Sequence, residues 1–568
     1  MASLAAGCAQ EDLDTPPKSD GLSASSYVSL SFASRQDALT RSNPTGGENG
    51  DGLEKGQDNE NEIKSAVVFF YQGTENQGVN SPGNTPIKAA VPFSVNSYTK
   101  PGNGIDRKYD TEPQQVELEN GTYNLLVVTN SGDDWWTGKN LTLDDVRNHI
   151  QAQAWTAPDG SAADYSNFVM TSADDATLTL NSNPEDDPAT AEVDVERMAA
   201  RLDYKATGTY TCEDPAYESK GTKATVEITG AALVNNLTAG SYIIKRVATD
   251  ANGTGLSYLG DETPDAGVQT NYVIDPWTAQ KTSANNNFTI DGDTKGTAEL
   301  YGVWFENRSE DPNYWAAYVT PGTQVSDGAE TWQLIGYTLE NTTAAAEAGS
   351  RYSTGVVFKA KFHPSGVANY TDGSTFFAYG TRLYASMEDM MNEFYGNKFA
   401  DLDNIKNYTT WGEVKQFIRS TLLTNDPSGY NLYLENMAEG KADDETVIDA
   451  SSLTWSKYML SECGYSKDDD GKVTLDQNGK VTRMALQPYG TRTYEDATCY
   501  YTWWVRHSND NNDNDKGVME YAIVRNNIYK LTVKSIYSLG GEVPGDESLI
   551  VDVYVNDWLL LDSETLPM

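Results

Sequence analysis

The stretch that decides the fold is C-terminal: YAIVRNNIYKLTVKSIYSLGG, residues 521–541, followed by EVPGDESLIVDVYVNDWLLLDSETLPM, residues 542–568. From about Tyr521 to Ile536 it is rich in Ile, Val, Tyr and Thr and reads as one long strand. Gly540, Gly541, Pro544 and Gly545 then break the chain. Beyond them Leu549, Val551, Val553 and Val555 lie on one face, Asp552 and Asn556 on the other. That period of two belongs to a strand with one buried side. The connection from Ser538 is longer than the roughly two to five residues of an ordinary hairpin. A long hinge before a strongly apolar strand would let that strand leave its own domain.

Composition frames the rest. At 568 residues the chain is long enough for several domains, each with a core. Its 83 acidic against 41 basic residues, a net charge of -42, leave too few cations to neutralise a phosphate backbone, so nucleic acid is excluded as a partner. The 34 Tyr, 12 Trp and 47 Gly favour strands and turns over helices, which predicts a mainly β protein with helical insertions. Four cysteines are too few for a disulfide framework; Cys463 and Cys499 either bridge or stay as buried thiols. No apolar run approaches the roughly eighteen residues of a spanning helix.

The N-terminus reads MASLAAGCAQEDLD. Leu4-Ala5-Ala6-Gly7-Cys8 is similar to the small-residue end of a bacterial lipoprotein signal, with Cys8 in the acylated place, although residues 1–7 are too short for the basic and apolar parts. Residues 11–24 read as a polar tether. SSYVSLSFAS follows, a short strand with Val28, Leu30 and Phe32 on one face and Ser29 and Ser31 on the other. Residues 35–62, RQDALTRSNPTGGENGDGLEKGQDNENE, lack any apolar period and are predicted to be disordered and open to proteases, with Arg35 and Arg41 near their start.

KSAVVFFYQ, NGTYNLLVVTN, ATVEITGAALVN, SYIIKRVA and ELYGVWFEN read as strands, and so do VVFKAKFHP, FFAYGTRLYASM and YYTWW. LTLDDVRNHIQAQAW reads as a helix capped by Thr142 and Asp145, and VERMAARLDYKA carries Met198, Ala199 and Leu202 at helical spacing. A helical insertion is predicted over about 386–424, with N-termini at Ser386 and Thr410, and a hairpin at Asn478-Gly479. A boundary near residue 221 divides the chain into an N-terminal segment 1–41, a domain over 42–221 and a domain over 222–568.

Candidate chemistry is thin. The three histidines, His149, His363 and His507, are scattered, and no metalloprotease, nucleophile-elbow, phosphate-loop or C-x-x-C motif occurs. No catalytic residue, metal site or cofactor is therefore expected, and the chain reads as a non-enzyme. The acidic stretches 466–472 and 508–517 suit solvated turns better than calcium loops. Trp135-Trp136 and Trp503-Trp504 suit core or sheet surface better than sugar stacking.

IVRNNIYKLTVKSI, with the alternating strand that ends at Asp557-Trp558, resembles the C-terminus of Bacteroidetes fimbrillins, and among them the major subunits of the minor (short) fimbriae, a type V pilus. Cys8, SYVSLSF, VERMAAR, FKAKFHP with FFAYGTRLYASM, and YYTWW agree in order. The resemblance implies two β-sandwich (transthyretin-like) domains and export as an outer-membrane lipoprotein acylated on Cys8. It implies removal of the first strand by an Arg-specific protease, after Arg41 or alternatively Arg35. The vacated groove would then take the C-terminal strand of the next subunit, about Leu549 to Leu561, to build a homopolymer on the cell surface beside anchor and tip fimbrillins.

In such strand addition backbone pairing gives affinity and alternate side chains fill pockets. The first strand offers Val28, Leu30 and Phe32; the donor offers Leu549, Val551, Val553 and Val555, with Trp558 and Leu560 beyond. At roughly 1.5–3 kcal/mol per buried aliphatic side chain, the longer donor should win once cleavage frees the shorter strand. Head-to-tail contact then makes open filaments that serve adhesion and biofilm formation. The alternatives are a monomeric surface lipoprotein that binds glycans, and a tip or anchor fimbrillin.

Overall fold

The computed structural model describes residues 25–33, 52–73, 81–95, 109–155, 164–248, 257–258, 272–390, 491–507, 516–545 and 549–559, apart from a few single or paired positions within them. The architecture is mainly β, as the composition predicts.

The largest sheet has nine strands. Its first strand, Ser25–Ala33, realises the expected alternation: Val28, Leu30 and Phe32 are fully buried while Ser29 and Ser31 are partly exposed. It runs parallel to Ala189–Arg197 on one side, and antiparallel to Gln114–Glu117 and Tyr109–Asp110 on the other. Ser65–Tyr71 pairs with Ile87–Ser94 and Gly121–Thr129. Ala66 through Tyr71 are all buried, which explains the unbroken apolar run there.

VERMAAR is not a helix. It spans two strands, Ala189–Arg197 and Ala199–Lys205, and at Met198 the chain crosses from the nine-stranded sheet to a six-stranded one. Every residue from Val195 to Tyr204 is buried. A stretch buried on both faces has no period of two to distinguish it from helix. The six-stranded sheet runs Gly52–Lys55, Ile550–Leu559, Asn527–Ser535, Ala199–Lys205, Glu330–Leu339, Thr323–Asp327. Leu202, Tyr529 and Leu531 from this sheet share a core with Val226, Phe358 and Tyr501 of a four-stranded sheet built from Thr209–Thr211, Thr225–Val234, Gly355–His363 and Thr498–Trp504. Gly221, beside the expected boundary, sits in the turn of the hairpin Glu218–Ser219 with Thr222–Lys223.

Other expectations are met in part. Thr142 and Asp145 form the expected reciprocal cap, but the helix is only Leu143–Arg147 and gives way to a two-residue strand at Ile150–Gln151. ELYGVWFEN is not a strand: it holds a helix over Thr297–Leu300 and a tight turn over Phe305–Asn307, and the Asn235 side chain accepts the Phe305 N–H at 2.8 Å. Ser386 accepts the Asp389 N–H at 3.0 Å, as a helix start requires. Thr410 and the Asn478-Gly479 turn lie outside the described residues.

The C-terminal strand begins at Asn527 rather than Tyr521. Asn526 has φ +57°, and the Asn527 side chain donates to the Val524 and Arg525 carbonyls, so VRNN makes a corner. The Ser538–Gly541 hinge is packed: Gly541 and Tyr500 exchange both backbone hydrogen bonds, and the Tyr494 hydroxyl donates to the Gly540 carbonyl at 2.9 Å. A Cβ on Gly540 would lie 2.5 Å from the Tyr500 carbonyl oxygen. Gly540→Ala should therefore lower stability by about 1–3 kcal/mol through backbone displacement. A lower urea midpoint at unchanged m would register that loss, and an unchanged midpoint would mean that the hinge yields freely.

Candidate functional site

The expected site has two halves, one at each end of the chain. In the first half, Val28, Leu30 and Phe32 project into the core under the nine-stranded sheet. Cys8, Arg35 and Arg41 lie outside the described residues.

In the second half, Ile550–Leu559 is seated in the chain's own six-stranded sheet, antiparallel to Asn527–Ser535 with Val553 opposite Leu531. Leu549, Val553 and Val555 are buried in the core shared with the four-stranded sheet, and Val551 packs against its margin. Trp558 belongs elsewhere. It lies out of parity with the valines, and its fully buried ring joins the other core beside Phe168 and Tyr337. The Arg197 guanidinium stacks 4.4 Å from the ring centroid and donates to the Trp558 carbonyl at 2.9 Å. Leu560 lies outside the described residues. The last strand thus serves two cores, one on each face.

Between the halves lies a group of residues that the sequence did not announce. The stretch 35–62 is not disordered throughout: Gly52–Lys55 is a strand parallel to Asn556–Leu559, and Asp58–Asn61 is a tight helical turn. Glu54, Glu60 and Asn61 are buried, although local composition reads as solvated loop. Their partners are remote. Lys530 Nζ lies 2.5 Å from Glu54 Oε2, and Arg201 Nη1 lies 3.0 Å from Glu60 Oε2. Arg201 also grips Asp203 in a two-point pair, Nε to Oδ1 at 3.0 Å and Nη2 to Oδ2 at 2.6 Å. Tyr337 donates to Glu60 Oε1 at 2.5 Å, Arg197 donates to the Glu60 carbonyl at 3.1 Å and to the Asn61 side chain, and Asn556 donates to Glu54 at 3.1 Å. Glu54, Glu60 and Asp203 thereby face Arg197, Arg201 and Lys530, three charges of each sign, and none of the six is more than 3% exposed.

The protonation of the group follows from its setting. Burial works against the Arg201 charge, but Asp203, Glu60 and Glu54 outweigh it and hold the guanidinium protonated. Burial pulls Arg197 down to about 10, still cationic at neutral pH. Burial pushes the Asp203 carboxyl up to about 6 against the lowering pull of Arg201.

The remaining candidates lie apart from this group. Cys212 and Cys499 are buried, with the Cys499 thiol directed to the Tyr501 hydroxyl at 3.8 Å; Cys463 lies outside the described residues. His149 stacks on Trp135, His363 Nδ1 meets Asp372 at 2.7 Å, and His507 Nδ1 meets the Tyr529 hydroxyl at 2.8 Å, so the three stay apart. Trp135, Trp136, Trp503 and Trp504 all pack against cores. Among the described residues no set of metal-ligating side chains gathers. The stretches 466–472 and 508–515 lie outside the described residues.

Residues 492–564 match the family model described as major fimbrial subunit protein type IV, fimbrillin, C-terminal. This end of the chain is similar to the C-terminal part of fimbrillins. The match spans the strand Thr498–Trp504, the VRNN corner, the hinge and the last strand, and the resemblance drawn from those residues holds. Among solved structures the chain is similar to a fimbrilin from Porphyromonas gingivalis W83 (12% identity, 95% of this chain and 99% of that chain, TM-score 0.33). It is also similar to the tip fimbrial protein Mfa3 from Porphyromonas gingivalis (10%, 94% and 100%, 0.29). A fimbrial assembly protein from Parabacteroides distasonis ATCC 8503 is a third (12%, 60% and 96%, 0.24). No curated protein matches the chain.

Two predictions follow from the ionic group. Arg201→Met leaves Glu60 and Asp203 buried without their main cation, and should cost about 3–5 kcal/mol in urea unfolding of the full chain. Asp203 has a folded value of about 6 against its ordinary 3.8, so between those values the folded chain binds the extra proton. Its contribution to stability is therefore greatest below about pH 4 and declines as pH rises through about 6. The urea midpoint of the wild type minus that of Asp203→Asn should fall across this window; a flat difference would contradict the assignment.

Proposed function

We propose that the chain is a non-enzymatic stalk subunit of cell-surface fimbriae of the minor, type V kind. It is exported as a lipoprotein on Cys8, activated by an Arg-specific protease after Arg41 or Arg35, and polymerised through its last strand. The observation that carries this reading is the seating of the first strand. Ser25–Ala33 fills a slot between Ala189–Arg197 on one side and Gln114–Glu117 with Tyr109–Asp110 on the other, using three apolar plugs. Only residues 34–51, which hold Arg35 and Arg41, join it to the next strand. A cut there frees the plug and opens a slot with two unpaired edges, the kind of site that an extended strand from a second copy completes. The period-two valines of Ile550–Leu559 suit that slot, and anchor and tip fimbrillins would close the fibre at its ends.

A second reading keeps the last strand at home, as a monomeric surface lipoprotein or a terminal fimbrillin. It is favoured by the burial of Leu549, Val553 and Val555 in the chain's own core. The core-packed tryptophan pairs give its glycan-binding form no support.

Mild trypsin treatment of the purified chain, with N-terminal sequencing and negative-stain microscopy, separates the two. The expected result is a cut after Arg41 or Arg35 followed by filaments, which Arg35→Ala with Arg41→Ala abolishes and an excess of synthetic peptide 546–568 caps. A clean cut that leaves a monomer with a protected last strand would establish the second reading.

A further inference from the structure

We infer that Gly52–Asn61 is a clasp that stays with the folded chain when the first strand is lost, and that Glu54 within it governs how tightly the last strand is held in its own subunit. The balance of buried charge fixes the clasp. Of the three carboxylates that face Arg197, Arg201 and Lys530 among the described residues, two, Glu54 and Glu60, come from the clasp, so its loss would leave these buried cations short of negative charge. Uncompensated buried charge is strongly unfavourable, so the clasp does not leave with the first strand. The first strand has no such bond: SSYVSLSFA carries no charged residue.

The grip on the last strand is local. Gly52–Lys55 pairs with Asn556–Leu559 only, while Ile550–Val555 is paired on its other side by Asn527–Ser535 and has no further partner strand among the described residues. The end of the last strand is thus doubly paired and its beginning singly paired. Side chains reinforce the doubly paired end. Asn556 donates to Glu54, and the Trp558 indole lies so close to Gly56 that a Cβ there would come within 2.5 Å of Nε1. Lys530 stands on the strand beside the last one, opposite Tyr554, so Glu54 ties the clasp across the last strand to its neighbour. Losing the Glu54 charge removes a bond at the one place where the last strand is held from both sides.

Hydrogen exchange by mass spectrometry on the full, uncut chain tests this. Glu54→Gln keeps the side-chain shape and removes the charge; amides of 550–559 should exchange at least about tenfold faster, with those of Ser25–Ala33 unchanged. Unchanged exchange in the last strand, or equal acceleration in both strands, would overturn the inference. Glu54→Gln combined with Lys530→Met restores two charges of each sign and should return protection toward wild type; a double variant as fast as the single would also overturn it. If Glu54→Gln does not fold, Asn556→Ala removes the last strand's side-chain hydrogen bond to Glu54 and leaves the ladder in place, and should speed exchange at 550–559 alone. The consequence for assembly rests on the fimbrial reading: after trypsin, Glu54→Gln should form filaments sooner. Failure of exchange to change refutes the clasp, whereas changed exchange without filaments from either protein refutes the fimbrial reading.

Discussion

The structure depends on one constraint above the others: Arg201 is fully buried in the middle of a sheet and must be neutralised by carboxylates brought to it there. Asp203, two residues along the same strand, supplies one carboxylate. The others arrive from Gly52–Asn61, some 140 positions earlier in the chain, and once there they also answer Arg197 and Lys530. Burying a salt bridge gives little net stability, because desolvation offsets most of the attraction. What it gives here is placement. An arrangement of chain that misplaces this segment leaves charge without a partner, so the edge of the six-stranded sheet is specified even though the segment is glycine-rich and polar. Buried pairs elsewhere follow the same rule across long separations, Arg525 with Glu340 at 2.7 Å and Lys245 with Glu196 at 3.1 Å.

The two terminal strands are held by different forces. The first relies on ladder hydrogen bonds, serine hydroxyls bonded to Thr111 and Asp110, and three apolar side chains, an uncharged strand that another of similar pattern can replace. The last adds a ring under a guanidinium and an amide on a buried carboxylate, both of which fix position. Attachment without charge would suit the removal proposed for the first strand, and attachment with charge would suit the conditional release proposed for the last.

Legibility in the sequence followed the same division. Where a strand has one wet face, as in SYVSLSF or LIVDVYV, the period of two is visible and the element was found with its buried residues. Where a stretch is buried on every side, as at Val195–Tyr204, no period survives and VERMAAR reads as helix. Gly52–Asn61 failed for another reason: its acidic residues are buried only because Arg201 and Lys530 meet them, and no local window contains those partners. The VRNN corner likewise depends on Arg525 meeting Glu340. Trp558, expected only as a further plug of the donor strand, also marks a second buried surface, since an apolar residue out of parity with Val551, Val553 and Val555 faces the other way.

That second surface changes the energetics of the proposed strand exchange. Compared with the first strand alone, the last strand has the larger apolar set, and it should win the vacated slot. The relevant competitor, however, is the seat that the last strand already occupies. There it buries Leu549, Val553, Val555 and Trp558, against the three plugs of the first strand, and Trp558 contributes on the face that the valines do not use. A slot shaped by Val28, Leu30 and Phe32 offers one apolar face, so transfer into it forfeits the Trp558 contacts unless the new neighbour supplies an equivalent. Under the proposed mechanism, cleavage of the first strand would create the vacancy but would do nothing to lower the cost of leaving. That cost is concentrated where Glu54, Asn556, Arg197 and Trp558 meet, and a subunit that polymerises through this strand has to loosen that corner before its valines can move.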